Sequence, residues 1–305
     1  MEFGLFLSQI DFAAVRESAR NAEQIGFDLV VFPDHFVHEG PGGEYDPHTL
    51  AHDAILLAAA ADATRKIRIG HLVLCNLFRH PAVTAQALMS LDHLSGGRAV
   101  AGLGAGWMET EFRMTGIGFP GIGTRLRMLD EALTCIKSLW AQERTTFSGE
   151  FYRLSDAILW PKPLQRPHPP ILIGGSGRGA LRVMAKHADI ANIAVDTGKA
   201  GKLTLDGMSG VNDAVFKERA EFVRAEAARL GRDPKAITIS NAIFAVMLAD
   251  STATAEATAR EVGKTFGRRC AALGVISYRH ARAMRRGTQS ARRRMGRRPI
   301  PLQRR

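Results

Sequence analysis

Residues 27–36, Phe-Asp-Leu-Val-Val-Phe-Pro-Asp-His-Phe, decide how this chain is read. Leu29-Val30-Val31-Phe32 is a short, wholly apolar run with the brevity and branching of a strand buried on both faces. Strands of that kind belong to parallel sheets covered by helices. The run stops at Pro33, and an acid and an imidazole, Asp34 and His35, follow at once. In parallel α/β folds the ligand crevice lies beyond the carboxyl ends of the strands, so this pair marks a place to do chemistry. The plainer reading makes Asp34 a helix cap and His35 a surface residue.

The flanking sequence repeats the pattern. Residues 1–7 read as a first strand. Asp11 can cap a helix to about Ile25, with Val15, Ala19, Ala22 and Ile25 on one face, and Gly26 ends it. After His35 comes a Gly-, Pro- and His-rich loop, 38–48, long enough to act as a lid. Helix, strand, helix and strand follow at 53–64, 67–74, 81–94 and 99–103. Residues 124–140 form an amphipathic helix. Residues 144–170 make a hairpin-like excursion ending in a proline-rich extended connector. Strands at 171–173 and 189–195 flank a helix at 180–187. A polar loop at 196–211, a helix at 213–230, a strand within 236–248 and a helix at 252–266 complete the series. Seven or eight such units without a composition break predict a (β/α)8 barrel rather than a doubly wound sheet.

Composition sets further bounds. The net charge is +11, yet residues 268–305 hold 13 arginines and no Asp, Glu or Lys, which leaves 1–267 slightly acidic. Basicity is therefore a property of the tail, and the tail carries no base-stacking aromatic pattern. The chain divides into a barrel domain, 1–267, and an Arg-rich tail, 268–305. No run approaches the roughly 20 apolar residues of a membrane span, and the N-terminus lacks the basic region of a signal peptide. Cys75, Cys135 and Cys270 lie far apart, which fits a reducing cytoplasm. The expected partner is a small-molecule substrate, with neither membrane nor nucleic acid; a homodimer is left open. The competing class is a non-catalytic barrel whose basic tail binds nucleic acid.

Four strand ends carry unusual residues: Asp34-His35, 71–76, 104–107 and 174–177. In a barrel all four meet at one mouth. Gly174-Gly175-Ser176-Gly177 follows a strand and opens a helix, where bare backbone N–H groups can hold a phosphate. The alternative is a tight turn needing positive φ. Gly175, Gly177 and Ala180 also fit a dinucleotide fingerprint, but that motif belongs on a fold's first βα turn. Gly104-Ala105-Gly106 allows close backbone approach to a ligand, and Trp107 with Glu111 can wall a pocket. The histidines at 35, 38, 48 and 52 lack the companion ligands of a barrel hydrolase, so no metal is expected. Cys75 has no base to activate it.

Several stretches together resemble the luciferase-like monooxygenase superfamily, in particular its coenzyme F420-dependent branch. They are FDLVVFPDHF, the run from 67 to 107 beginning IRIGHLVLCN and ending GLGAGW, WMETEFRMTG, and the run from 161 beginning PKPLQRPHPPILIGGSGRG. The resemblance covers about residues 1–266. It implies a bacterial-luciferase-like (β/α)8 barrel and a cofactor that is F420 or FMN. It implies a proton-transfer role for His35, with Asp34 beside it, and a non-prolyl cis peptide near Leu72-Val73 against the ring. Cys75 and Asn76 would border that ring, and the cofactor phosphate would lie on Gly174, Gly175, Ser176 and Gly177. The activity implied is F420-dependent hydride transfer involving a small organic substrate; the alternative is an FMN-dependent monooxygenase. Two features depart from the pattern. Trp107 stands where the F420-dependent sugar-phosphate dehydrogenases carry a glutamate, which disfavours a sugar phosphate. The tail has the composition of a shifted reading frame in a GC-rich gene, so the last βα unit is expected to be altered or incomplete, with 273–278 the one plausible eighth strand.

Overall fold

The computed structural model describes residues 1–7, 12–39, 45–46, 54–194, 212–242, 246–249 and 274–277. Strand β1 (Gly4–Phe6) leads to helix α1 (Phe12–Ile25), and β2 (Leu29–Phe32) follows. A short antiparallel pair, β3 (His38–Glu39) and β4 (Tyr45–Asp46), precedes α2 (Ala54–Ala63). Next come β5 (Arg68–His71), β6 (Leu74–Cys75), a single 3-10 turn and α3 (Pro81–Ser95). Strand β7 (Ala99–Gly104) is followed by α4 (Glu109–Thr115) and α5 (Ile122–Ala141). The excursion is an antiparallel hairpin, β8 (Thr145–Ser148) with β9 (Arg153–Ala157). Then follow β10 (Ile171–Gly175), α6 (Arg178–His187), β11 (Ile190–Ile193), α7 (Asp213–Arg229) and β12 (Thr238–Asn241). These elements form one unit, residues 2–242.

The main sheet runs β1-β2-β5-β7-β10-β11-β12, with β6 also on β7, and every pairing is parallel. Strand order equals chain order, so there is no topological switch point at which a doubly wound sheet would bind a dinucleotide. That removes the dinucleotide reading of Gly175, Gly177 and Ala180. The architecture is the α/β barrel type expected from the sequence.

The two faces of the sheet differ as the apolar runs require. Val30, Phe32 and Ile69 pack outward on α1 and α2, burying Val15, Ala19, Leu57 and Ala60. Leu103, Ile173 and Ile193 pack outward with Leu129, Leu133 and Ile136 of α5 and Met184 of α6. The inner face carries Val100, Leu172 and Ile190, with Leu29, Leu72 and Val73 against them. The proline-rich connector is fixed by Asp92 of α3, which is fully buried and accepts from the backbone N–H of Leu164 and Gln165 at 2.7 and 3.0 Å.

Two boundaries differ from expectation. The third strand is broken: β5 ends at His71 and β6 resumes at Leu74, and the Leu72–Val73 peptide between them is cis, as the resemblance implied. The seventh region splits into β12 and β13 (Val246–Ala249). Strand β13 pairs in parallel with β14 (Gly274–Ser277), in a second unit formed by 243–305. Strand β14 falls inside the expected 273–278. The Asp11 cap, the lid apart from β3 and β4, the loop 196–211, the helix 252–266 and the rest of the tail lie outside the described residues. Among the described residues no helix is long and apolar enough to cross a membrane.

Candidate active site at the strand tips

The tips of β2, β5, β7 and β10 meet as their pairings dictate. Asp34 and His35 follow β2 directly, but their side chains take different partners. Asp34 is buried, and its carboxylate takes both guanidinium nitrogens of Arg79, at 2.7 and 2.8 Å. It also accepts the backbone N–H of Cys75 at 2.8 Å. Such a fork-to-fork pair is rigid and charge-assisted. It ties the end of β2 to the segment after β6, so Asp34 acts here as a fastener between two strand tips.

His35 turns the other way. Its Nδ1 lies 2.9 Å from Oε2 of Glu111, which is buried in the first turn of α4. The other oxygen of Glu111 accepts the backbone N–H of Phe36 at 2.5 Å and of Val37 at 3.2 Å. One carboxylate therefore sets both the imidazole and the backbone that follows it. The Trp107 ring stands edge-on to His35, at 5.6 Å between centroids. Nε2 has no hydrogen-bond partner among the described residues, and the side chain is 24% exposed, which keeps that nitrogen within reach of a ligand. Because a carboxylate only accepts, Nδ1 must carry a proton, and in the neutral ring Nε2 is a proton acceptor.

Beside this pair lies an apolar platform. A Cβ on Gly104 would stand 2.5 Å from Cγ2 of Val73, and one on Gly174 would stand 3.1 Å from its Cγ1. Glycine at both tips is what lets Val73 and Leu72 occupy the inner face. Gly106 has φ +79, and a Cβ there would press on Sγ of Cys75 at 2.9 Å. Burial pushes the Cys75 thiol up to about 12, which removes it as a nucleophile at neutral pH. Asn76 donates its amide to the Tyr152 hydroxyl at 3.1 Å, and Ala105 packs on the helix-side core. Those two side chains therefore face the helix layer. His71, at the end of β5, is fully buried, and neither ring nitrogen has a partner among the described residues; burial lowers its pKa to about 4, so it stays neutral.

The glycine run at 174–177 closes the site from the β10 side. None of its three glycines has positive φ, so turn geometry does not demand them. Gly175 is required by packing, since a Cβ would lie 2.6 Å from that of Ala180. Gly177 has no such reason: a Cβ there meets nothing within 4 Å among the described residues, and it caps α6 with no side-chain hydrogen bond. Among the described residues no side chain caps the first N–H groups of α6, the arrangement that accepts an anion. Among the described residues no three His, Cys, Asp or Glu side chains come together as a metal site. Nearby on the inner face, Asn192 of β11 donates to the hydroxyl of Ser240 on β12 at 3.0 Å.

Sequence reasoning placed Glu111 only in a pocket wall and passed over Arg79. Both lie far along the chain from the residues they serve, and no local period reveals such pairings.

The family described as luciferase-like monooxygenase matches residues 1–300. The F420-dependent glucose-6-phosphate dehydrogenase of Microbacterium testaceum is 37% identical over 169 residues, 55% of this chain and 48% of that protein. The FMNH2-dependent dimethylsulfone monooxygenase of Pseudomonas putida is 34% identical over 175 residues, 57% of this chain and 46% of that protein. The chain thus spans about half the length of these curated relatives. Among solved structures, an F420-dependent secondary alcohol dehydrogenase in complex with an F420–acetone adduct superposes with a TM-score of 0.64 at 26% identity, covering 85% of this chain and 73% of that one. A riboflavin lyase, at TM-score 0.71 and 20% identity over 89% of this chain and 68% of that one, supports the fold alone.

Proposed function

The chain belongs to the luciferase-like monooxygenase family, and on that premise we propose that it is an F420-dependent oxidoreductase acting on a small organic substrate, with His35 as its proton-transfer residue. The observation that carries this reading is the Glu111–His35 pair. It fixes an imidazole whose second nitrogen has no partner among the described residues, next to the apolar platform of Leu72 and Val73.

The residues fit a deazaflavin. The uncapped N-terminus of α6 and the open space at Gly177 suit a phosphate, and the glycine-backed Val73 offers a flat apolar contact for a ring. When bound, F420 supplies a ring that carries a hydride. The chain's own residues supply the rest. His35 takes or returns a proton at Nε2, work for which imidazole is suited near neutral pH. Glu111 holds the ring in one tautomer and orientation. Asp34 and Arg79 keep the tips of β2 and β6 in register. Val100, Leu172 and Ile190 below the platform keep water out of the inner face, and orientation in a dry site is the larger part of such catalysis.

The second reading is an FMN-dependent monooxygenase, favoured by the 34% identity to the dimethylsulfone enzyme. The same phosphate cradle and platform would serve FMN. Titration of the purified chain with F420 and, separately, with FMN, followed by fluorescence, decides between them. Tight, saturable F420 binding with weak FMN binding supports the proposal. The reverse order supports the monooxygenase, and binding of neither rejects both.

A further inference from the structure

On β7, β10 and β11 the inner face below the platform is apolar, with one exception. Asn192 sits on β11 between Ala191 and Ile193, which pack outward into the helix-side core. Strand alternation therefore turns Asn192 inward, on the face of Ile190. It is 3% exposed, and its Oδ1 has no hydrogen-bond partner among the described residues. A buried amide oxygen left unpaired loses its hydration with nothing in return, so an inward-facing one calls for a ligand to pair it. The companion Nδ2 is engaged with Ser240 Oγ. Because that bond uses an acceptor lone pair of the serine, the serine O–H stays available as a donor. The pair thus presents one acceptor and one donor side by side.

Its position is set by register. Asn192 is the parallel partner of Gly174, and Ser240 is the partner of Asn192 on the next strand. Gly174 is the residue whose missing Cβ makes room for Val73. Adjacent strands lie about 4.8 Å apart, so the corner stands one strand from the platform. The inward-facing residues of β7, β10 and β11 around it are Val100, Gly102, Gly104, Leu172, Gly174 and Ile190, none of them charged.

We propose that Asn192 and Ser240 form an uncharged hydrogen-bonding subsite inside the barrel that holds the oxygen of a neutral alcohol or carbonyl substrate. The proposal rests on the cofactor reading given above and names the substrate class for that site. An acceptor and a donor together suit a hydroxyl, which offers both functions, and the donor alone suits a carbonyl oxygen. A carboxylate or phosphate would face the Asn192 oxygen with no cation among these described residues to offset the repulsion, in a setting where an unpaired charge is costly. Substrates in this class are selected by a neutral oxygen.

The test uses cofactor-loaded protein and three probes: cyclohexanol, cyclohexanone and cyclohexanecarboxylate. Wild type is expected to bind the alcohol and the ketone by calorimetry, and the carboxylate about ten-fold or more weakly, the scale of one mispaired buried polar group. Asn192→Leu should weaken the alcohol about ten-fold. The milder Ser240→Ala, which removes one oxygen from a half-buried residue, should weaken the ketone several-fold. Cofactor affinity should stay within about two-fold in both, since one lost hydrogen bond elsewhere does not touch it. Equal binding of alcohol and ketone by both variants, or preference for the carboxylate, overturns the subsite while leaving the cofactor reading intact. Failure of wild type to bind either cofactor overturns both.

Discussion

Replacing Glu111 by glutamine changes one oxygen for one NH2 and should stop His35 from working as a base. In the wild type, Oε2 faces Nδ1 of His35 at 2.9 Å, while Oε1 holds the N–H groups of Phe36 and Val37. Glutamine can keep its oxygen on those two N–H groups, so the backbone after His35 stays in place. Its NH2 must then face Nδ1. That nitrogen can no longer carry a proton in the neutral ring, and the proton moves to Nε2, the nitrogen meant to receive one. The tautomer is reversed with the geometry retained. General acid–base catalysis contributes about 10²–10⁴-fold, so turnover should fall by that factor, about 3–5 kcal/mol of barrier. Stability should change by less than about 1 kcal/mol, because the amide satisfies the same groups. Glu111→Ala differs: it strands two backbone donors and the imidazole, and should destabilise by about 2–5 kcal/mol. The assay is 15N NMR of the imidazole tautomer beside steady-state kinetics. If Glu111→Gln leaves Nδ1 protonated, or reverses the tautomer with turnover intact, the assignment of His35 fails.

Three further outcomes follow from the same geometry. His71 has a native pKa of about 4 against 6.5 in its absence of structure, so below pH 6.5 the unfolded chain binds a proton that the native ring refuses. Stability should therefore fall by about 3 kcal/mol between pH 7 and pH 4 from this group alone, and urea unfolding of His71→Phe should lack that component. Cys75, with its thiol up at about 12, should resist iodoacetamide at pH 8 in the native protein, and peptide mapping that finds it alkylated as fast as in urea would contradict its burial. Gly177→Asp places a carboxylate at the open N-terminus of α6; it should weaken F420 about ten-fold or more while leaving the melting temperature unchanged or slightly raised, since an acid is a good helix cap there.

The repeating strands were legible because buried parallel strands are short apolar runs, and the helices because their apolar faces keep a 3.6-residue period. The break in the third strand is not visible in the run from Ile67 to Leu74, whose apolar character continues across it; the resemblance located it at Leu72-Val73. Asp34 and His35 read as one unit because they are adjacent, yet the fold sends them to different partners, 45 and 76 residues away. The same limit hid Asp92, which looks like an ordinary helix-surface acid and is instead the buried anchor of the connector. Asn192 sits inside an apolar strand, where pattern alone cannot distinguish an orphaned amide from a paired one.

The central claim is that a flavin-type ring binds against His35 at the strand tips. It is tested most directly by following the imidazole 15N resonances of the chain while F420 is added. His35 Nε2 should shift with a saturable dependence on F420, while His187, buried and 2.7 Å from Asp130 on the helix side, stays where it was. A His35 signal unmoved at saturating F420, and again at saturating FMN, would contradict it.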